Sequence, residues 1–186
     1  MQQITQNVLE FWFGDPPANA AREMWFKSGP ELDEDIRARF LDTHALVKGG
    51  GFDAKAKTAE DFLAAVIVLN QFPRNMFRGT AEAFATDGLA REWSDRAIAA
   101  GHHLAVPAPH MRIFFYLPFE HSEDLADQKR CLQLCQEMGH ENYTLYAQKH
   151  LDVIAQFGRF PHRNAFLGRT STPEEEEYLS KPGAGF

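Results

Sequence analysis

Two arginine–asparagine pairs stand in the same sequence context in this chain of 186 residues. Arg74 and Asn75 follow Phe-Pro and precede Met-Phe-Arg-Gly, while Arg163 and Asn164 follow Phe-Pro-His and precede Ala-Phe-Leu-Gly. The planar guanidinium group of an arginine can donate two parallel hydrogen bonds to a carboxylate or a phosphate, and an asparagine adds a donor and an acceptor beside it. Two such Arg-Asn corners facing a common cleft would bind a small anionic molecule.

The same phrase also suits the end of a helix, without any ligand. A residue that precedes proline is pushed into an extended conformation, and an arginine near a helix C-terminus can donate to the last carbonyl groups. Gly79 and Gly168, which close the two phrases, permit the positive φ of a tight turn. The Arg-Asn corners are therefore either helix-terminating turns or ligand-binding corners, and the sequence leaves both interpretations open.

A third polar concentration, residues 117–130, has the sequence LPFEHSEDLADQKR. A histidine beside carboxylates can act in general acid–base catalysis, so His121 and Asp124 are candidate catalytic residues. Glu120 and Arg112 are further ligand-binding candidates. The alternatives for His121 are a buried ring with structural hydrogen bonds and a metal ligand. Its position on the apolar side of a predicted helix indicates a mostly buried ring.

No motif in the sequence predicts a metal or another cofactor. The paired Glu-x-x-His motifs of di-metal helical bundles are absent, as are a glycine-rich phosphate loop, a nucleophile elbow and a zinc signature. Cys131 and Cys135, one helical turn apart, are poorly placed for a disulfide and are predicted to be reduced thiols in the core. His140 and His150 have no partner at a functional spacing and are predicted to lie at the surface.

The composition favours a folded protein that binds neither nucleic acid nor membranes. A net charge of −7 repels phosphate backbones, and 44% hydrophobic residues, with 12% aromatic residues, suffice for a large core. The longest strongly apolar run, FLAAVIVL, is too short to cross a bilayer, and the first residues show no signal peptide. We expect a cytoplasmic protein with a single domain over residues 1–186.

Hydrophobic residues recur with helical spacing almost everywhere, which predicts an all-α fold of antiparallel helical hairpins. Pro30 is a good first residue for one helix, and Thr58 begins another through a capping box with Asp61. The helix after Thr58 is predicted to be buried on nearly all sides and to end before Pro73, because proline disfavours a helical residue before it.

The last third of the chain is predicted to contain two long helices and a short one. The long helices are predicted over residues 119–137 and 143–158, and Asn142 is the predicted cap of the second. Thr172 begins the last helix, where the acidic residues that follow it are favourable near the N-terminus.

The shared Arg-Asn phrase belongs to a longer internal similarity at an offset of 89 positions. The acidic pattern that begins at Glu31 falls opposite the one that begins at Glu120. This offset predicts two similar halves, about residues 20–80 and 109–169, stacked into a short superhelix. Chance and the shared chemistry of helix ends are the alternative explanation.

Four long motifs together resemble one bacterial family. They are VLEFWFG, NQFPRNMFRGTAEAFATD, FFYLPFEHSEDLADQ and GRFPHRNAFLGRTSTPEE. From Val8 to the PGAGF tail, the chain resembles the bacterial proteins grouped as domain of unknown function 924. The resemblance implies a tetratricopeptide-repeat-like helical fold and no established activity. It also implies an aspartate where this chain has Asn70, so a catalytic base at that position would be missing here.

Two functions remain as hypotheses, and whether the protein is an enzyme stays open. In the first, the protein binds or acts on a small anionic molecule in a polar cleft. In the second, it is a non-enzymatic helical-repeat scaffold that binds a protein segment in an open groove. The concentration of polar residues in a few short motifs favours the first hypothesis. Its ligand-binding residues are Arg74, Asn75, Arg112, Glu120, His121, Arg163 and Asn164.

Overall fold

The computed structural model describes residues 2–15, 17, 20–26, 29–107 and 109–185 of the chain. Every regular element among these residues is helical, which confirms the predicted all-α fold. The chain divides into two compact units, and each is described by itself. The N-terminal unit comprises residues 1–78 and 82–118, and the C-terminal unit comprises residues 79–81 and 119–186.

The N-terminal unit is built from helices whose beginnings follow local sequence signals. Pro30 is the first residue of its second helix, and the capping box between Thr58 and Asp61 forms as predicted. The third helix packs against the first and the fifth, and the second packs against the fourth. The helices are α1 (Gln2–Phe13), α2 (Pro30–Lys48), α3 (Ala59–Val66), α4 (Phe72–Met76), α5 (Asp87–Ala99) and α6 (His102–Ala105).

The core of the N-terminal unit surrounds helix α3 and the segment that follows it. Residues 61–73 are all buried, as the nearly continuous apolar run predicts. The ring of Phe72 lies 4.6 Å from that of Phe40 and 5.6 Å from that of Trp12, between ring centroids. These aromatic contacts bury large apolar surfaces and hold α1, α2 and α4 together.

The predicted helix end before Pro73 is wrong. The chain passes from α3 through a π-helical segment, Ile67–Gln71, directly into α4. Proline has no N–H, and its ring collides with the preceding turn of a regular α-helix. The π-helical turn that precedes Pro73 is wider than an α-helical turn and leaves room for the ring. The Leu69 carbonyl, which Pro73 cannot reach with a hydrogen bond, instead accepts one from the Thr86 hydroxyl at 2.6 Å. A partner remote in sequence therefore allows the helix to continue.

The C-terminal unit contains a helical hairpin and a short last helix. Its chain enters through the short helix α7 (Leu117–Glu120), after which α8 (Leu125–Met138) packs against α9 (Glu141–Phe157). Helix α10 (Pro173–Leu179) begins with a capping box at Thr172. The last helix therefore begins where the sequence predicts it.

The predicted continuous helix over residues 119–137 is wrong, because residues 121–124 form a turn between α7 and α8. The Asp124 carboxylate accepts a hydrogen bond from the Ala126 amide at 2.7 Å and caps α8. The Gln128 side chain donates to the carbonyls of Glu120 and Ser122, each at 2.6 Å. These local bonds replace helical ones and stabilise the turn.

The predicted cap of α9 is also wrong by two residues. His140, and not Asn142, is the N-cap, and its Nδ1 accepts a hydrogen bond from the Tyr143 amide at 3.4 Å. The two rings stack with their centroids 4.2 Å apart. An imidazole that is held by stacking can therefore replace the short polar side chain that usually caps a helix.

The internal duplication is not confirmed. Arg74 lies within helix α4, whereas Arg163 ends a 3₁₀ turn that begins at Pro161. Gly79 and Gly168 do share a left-handed conformation, with φ of 77° and 64°. Residues 27 and 28 of the first predicted half lie outside the described residues. The tetratricopeptide-like superhelix stays a prediction.

None of the helices in the described part of the chain combines the length and the apolar character that crossing a membrane requires.

Candidate functional site

At the first Arg-Asn corner the arginine is paired with an aspartate. Arg74 donates to the two carboxylate oxygens of Asp87 at 2.8 and 2.9 Å, and it also donates to the Asn70 carbonyl. The Asn70 side chain adds a hydrogen bond to Asp87 at 2.8 Å. The N–H groups with which this arginine could bind an external anion are thus occupied by a carboxylate of the protein itself.

The asparagine of the first corner joins a second carboxylate. Asn75 donates to Asp33 at 2.8 Å, and Arg78 grips the same carboxylate at 2.6 and 2.9 Å. Hydrogen bonds from Arg78 hold the pKa of Asp33 below its ordinary value. Because Asp33 lies on α2 and Asn75 on α4, the corner fastens two helices together.

Arg112 lies elsewhere in the N-terminal unit, in a 3₁₀ turn that spans Arg112–Phe115. Its Nε atom is buried and has no hydrogen-bond partner among the residues that the structure describes. Arg112 therefore has a different environment from Arg74, although the sequence places both among the candidates for one anion site.

At the second corner the arginine is buried against an aromatic ring. Arg163 is 7% exposed, and its Cζ lies 4.5 Å from the ring centroid of Phe160. This is a cation–π distance, and a desolvated contact of this kind contributes more than an exposed one. Against the effect of burial, hydrogen bonds from Arg169 and the Phe160 amide lower the pKa of Glu123, and the positive charge of Arg163 adds a smaller effect in the same direction.

The asparagine of the second corner belongs to a network of charged side chains. Asn164 donates to Glu175 at 3.2 Å and accepts a hydrogen bond from Arg169 at 2.9 Å. Arg169 in turn grips Glu123 at 2.7 and 2.9 Å. Burial opposes the ionisation of Glu123, but hydrogen bonds from Arg169 and from the Phe160 amide outweigh it and lower its pKa. Asn164 therefore connects two carboxylates through one arginine.

The strongest chemical anomaly of the C-terminal unit is the carboxyl group of Glu120. It is 5% exposed, and one oxygen lies 3.7 Å from Nδ1 of His150. Its other oxygen lies 3.9 Å from the sulfur of Cys131. Burial raises the pKa of Glu120 to about 8, against a weaker opposing effect of the Cys131 hydrogen bond. At neutral pH the carboxyl is therefore largely protonated.

His150 was predicted to lie at the surface, and this prediction is wrong, since only 7% of the residue is exposed. Its Nδ1 lies 2.9 Å from the Tyr146 carbonyl, and because a carbonyl can only accept, Nδ1 carries the proton. The sequence does contain the signal for its burial. Tyr143, Ala147 and Ile154, at helical spacing from His150, are all buried.

His121 lies in the turn after α7 and is half-buried, rather than mostly buried on a long helix as predicted. Its ring centroid is 6.4 Å from that of His150. The structure thus brings His121 close to His150 and Glu120. Asp124 has a separate role as the exposed cap of α8.

Cys131 and Cys135 are free and buried, which confirms the predicted reduced core thiols. A hydrogen bond with Cys135, together with burial, raises the pKa of the Cys131 thiol well above its ordinary value. A thiol that stays protonated is a poor nucleophile. Cys131 therefore contributes a weak hydrogen-bond donor to Glu120 instead of acting as a nucleophile.

Phe160 connects the second corner to the buried carboxyl. Its ring centroid is 5.7 Å from that of His150, and the same ring supports Arg163. Three of the predicted site residues of the C-terminal unit, Glu120, His121 and Arg163, therefore belong to one cluster with His150. We call these four residues the buried acid–imidazole cluster. Across the described residues, no three or more His, Cys, Asp or Glu side chains are grouped so that they could hold a metal ion.

Comparisons with known proteins agree with the motifs. A family model described as a bacterial protein of unknown function, DUF924, matches residues 8–183. A solved structure of a protein of unknown function from Agrobacterium tumefaciens, ATU0120, is 42% identical to this chain. The similarity covers 96% of this chain and 97% of that one, with a TM-score of 0.88. A comparison with curated proteins finds no match.

Proposed function

The chain belongs to the bacterial family of proteins of unknown function DUF924, and we propose that it binds a small anionic molecule and exchanges a proton with it through Glu120. The observation that carries the proposal is a buried carboxyl, with a pKa of about 8, one oxygen of which lies 3.7 Å from Nδ1 of His150.

A carboxyl that is still protonated near pH 7 can donate a proton where an ordinary glutamate cannot. The nitrogen of His150 that lies nearest to Glu120, Nδ1, carries its proton toward the Tyr146 carbonyl and cannot accept one from the carboxyl, so Glu120 is the group of the pair that can donate a proton. Burying an ionisable group costs free energy unless a partner neutralises it. Strongly shifted pKa values of this origin are concentrated at functional sites.

The proposal that the ligand is an anion rests on the other members of the buried acid–imidazole cluster. Arg163 is cationic and lies one aromatic ring away from His150, while the half-buried His121 is the most accessible of the four. Neutral Glu120 does not repel an anion, and a carboxylic acid can donate to one. Arg74 and Asn75 are left out of the proposed site because Asp87 and Asp33 already accept their hydrogen bonds.

Thermal denaturation tests the binding half of the proposal. We would measure the stabilisation of the wild type by small carboxylates, inorganic phosphate and phosphomonoesters between pH 6 and pH 9. A ligand at a hundred times its Kd should stabilise the protein by about 2.7 kcal/mol. Affinity should fall as the pH rises through about 8, where Glu120 becomes negative. In Glu120→Gln this fall should disappear, whereas the exposed control Glu137→Gln should retain it.

Deuterium incorporation from D2O at the carbon next to the carboxylate of a bound ligand, followed by NMR, tests the proton-transfer half, because protons on oxygen exchange with solvent without a catalyst. The C–H proton would leave to the ionised Glu120 carboxylate, which exchanges it for deuterium and returns a deuteron to the carbon. Wild-type protein should incorporate deuterium, and Glu120→Gln should not. If no anion of the panel stabilises the wild type, or if Glu120→Gln keeps the wild-type pH profile, the binding proposal is wrong. A ligand that binds with the expected pH profile but incorporates no deuterium would refute proton transfer and leave a binding protein.

The scaffold hypothesis has weaker support in the described residues. Their large exposed apolar side chains are spread over several elements, including α2, α6, α8 and α9. Scattered apolar side chains are normal on a protein surface, whereas a peptide-binding face presents them as one patch. The distribution therefore favours a small molecule over a protein segment as the ligand.

A further inference from the structure

A groove of about 520 Å³ opens on the C-terminal unit, outside the buried acid–imidazole cluster. Its volume lies within the range of small-molecule sites, about 300–1,000 Å³. All of its lining residues belong to the end of α9, the following segment and α10. They are Gln156, Phe157, Arg159, Thr172, Glu174 and Glu175.

An arginine and a buried glutamate form one wall of this groove. Arg159 donates from Nε and Nη2 to the two oxygens of Glu175 at 2.6 and 2.8 Å, and from Nη2 to the Thr170 carbonyl at 2.9 Å. The hydrogen bonds from Arg159 lower the pKa of Glu175 to about 2, so the pair stays charged. Nη1 of Arg159 has no hydrogen-bond partner among the described residues, which leaves its two N–H groups available.

A second carboxylate of the lining, Glu174, is exposed and has no cationic partner in the described part of the chain. Hydrogen bonds from its own backbone amide and from Thr172 lower its pKa, so it is ionised at neutral pH. With Arg159 and Glu175, it leaves the groove with one net negative charge. Phe157 adds an aromatic ring that packs 5.2 Å from the ring of Tyr178, between centroids.

We infer that this groove binds a small zwitterion with an ammonium group and a carboxylate, such as an α-amino acid. The ligand carboxylate accepts hydrogen bonds from Nη1 of Arg159, the ammonium group pairs with Glu174, and an apolar side chain covers Phe157. A simple anion would meet the repulsion of two carboxylates. A simple amine would leave the Nη1 donors of Arg159 unused. Only a ligand with both charges matches both groups.

Isothermal titration of the full chain with a panel of α-amino acids tests this inference. For the tightest amino acid we would also titrate its N-acetyl derivative, which lacks the ammonium group, and the corresponding amine, which lacks the carboxylate. We expect each derivative to bind about tenfold more weakly than the parent, since each loses a charge-assisted contact.

Glu174→Gln should weaken amino-acid binding about tenfold. The matched control is Glu176→Gln, an exposed carboxylate of the same helix that does not line the groove, and its Kd should be that of the wild type. Absence of amino-acid binding at millimolar concentrations would overturn the inference. So would an amine or N-acetyl derivative that binds as tightly as the parent, or equal weakening by both variants. None of these outcomes bears on Glu120, whose tests use different variants.

Discussion

At the first Arg-Asn corner the arginine is held by a carboxylate, whereas at the second it lies over an aromatic ring. Arg74 meets Asp87 with two hydrogen bonds inside the N-terminal unit. Arg163 is buried against Phe160 inside the C-terminal unit, and there a different arginine, Arg169, grips the nearby glutamate. Two similar sequence segments thus occupy two different chemical environments.

The difference shows that an Arg-Asn pair supplies hydrogen-bond donors, but that the pair does not determine which groups accept those hydrogen bonds. Asp87 and Asp33, which satisfy the first corner, lie 13 and 42 positions away from Arg74 and Asn75. Where a carboxylate is supplied, the arginine becomes part of a clamp between helices. Where an aromatic ring is supplied, the charge lies over Phe160, whose ring also packs against His150, and this makes the second corner the better candidate for function.

The largest expected difference between the two units that hold the corners is a pH dependence of stability, which comes from Glu120 in the C-terminal unit. Burial raises the folded-state pKa of Glu120 from 4.5 to about 8, so between these values the folded protein holds a proton that the unfolded chain releases. Stability should therefore fall as the pH rises from 5 to 8, by about 3 kcal/mol from this group, and should stop falling above its folded pKa.

Glu120→Gln keeps the shape of the side chain and should remove this part of the pH dependence. The measurement is urea denaturation of both proteins at several pH values between 5 and 9. Glu137→Gln, an exposed change on α8, serves as the control and should behave as the wild type. Parallel curves for the wild type and Glu120→Gln would contradict the raised pKa.

The arginine of the first corner should act as a structural clamp. Arg74→Ala leaves Asp87, whose side chain is 14% exposed, without its bidentate partner, and the expected loss of stability is about 1.5–3 kcal/mol. The exposed pair of Arg96 with Asp53 provides the comparison. Asp53→Ala removes this pair but keeps the cation–π contact between Arg96 and Trp93, and it should cost less than about 1 kcal/mol, because solvent screens such pairs.

Chemical denaturation of both variants measures the contrast. Equal losses for Arg74→Ala and Asp53→Ala would mean that the first corner contributes no more than a surface ion pair. In that case the first corner would not be a structural clamp, and the proposed difference between the two corners would be wrong on that point.

The smallest expected effect concerns the prolines of the two corners. Pro73 lies inside a helix and needs the Thr86 hydroxyl to satisfy the Leu69 carbonyl, whereas Pro161 begins a 3₁₀ turn, where a missing N–H costs little. Thr86→Val should therefore destabilise the protein by about 1–2 kcal/mol. Thr43→Val, at a half-buried position on α2, is the control. If the two variants have the same denaturation midpoint, the Thr86 hydrogen bond contributes nothing measurable.

Short-range signals explain most of what could be predicted from the sequence. The all-α fold follows from helical periodicity, and the helix starts at Pro30, Thr58 and Thr172 follow from capping chemistry within four residues. The concentration of polar residues around Glu120 and His121 makes both predictable as site residues. The sequence does not mark His150 as a site residue, because no chemical partner lies near it in sequence, although its neighbours on α9 have the spacing of a buried face.

Tertiary structure alone decided the features that depend on contacts between remote residues. Where the helix continues through Pro73, Thr86, beyond the first corner, supplies the hydrogen bond that the Leu69 carbonyl cannot receive from the proline. The high pKa of Glu120 arises because neighbouring elements exclude water from its carboxyl. A sequence determines which donors, acceptors and apolar faces a segment carries, since these follow from residue type and local spacing. Which donors meet which acceptors, and how completely water is excluded where they meet, depends on the packing of segments far apart in the chain.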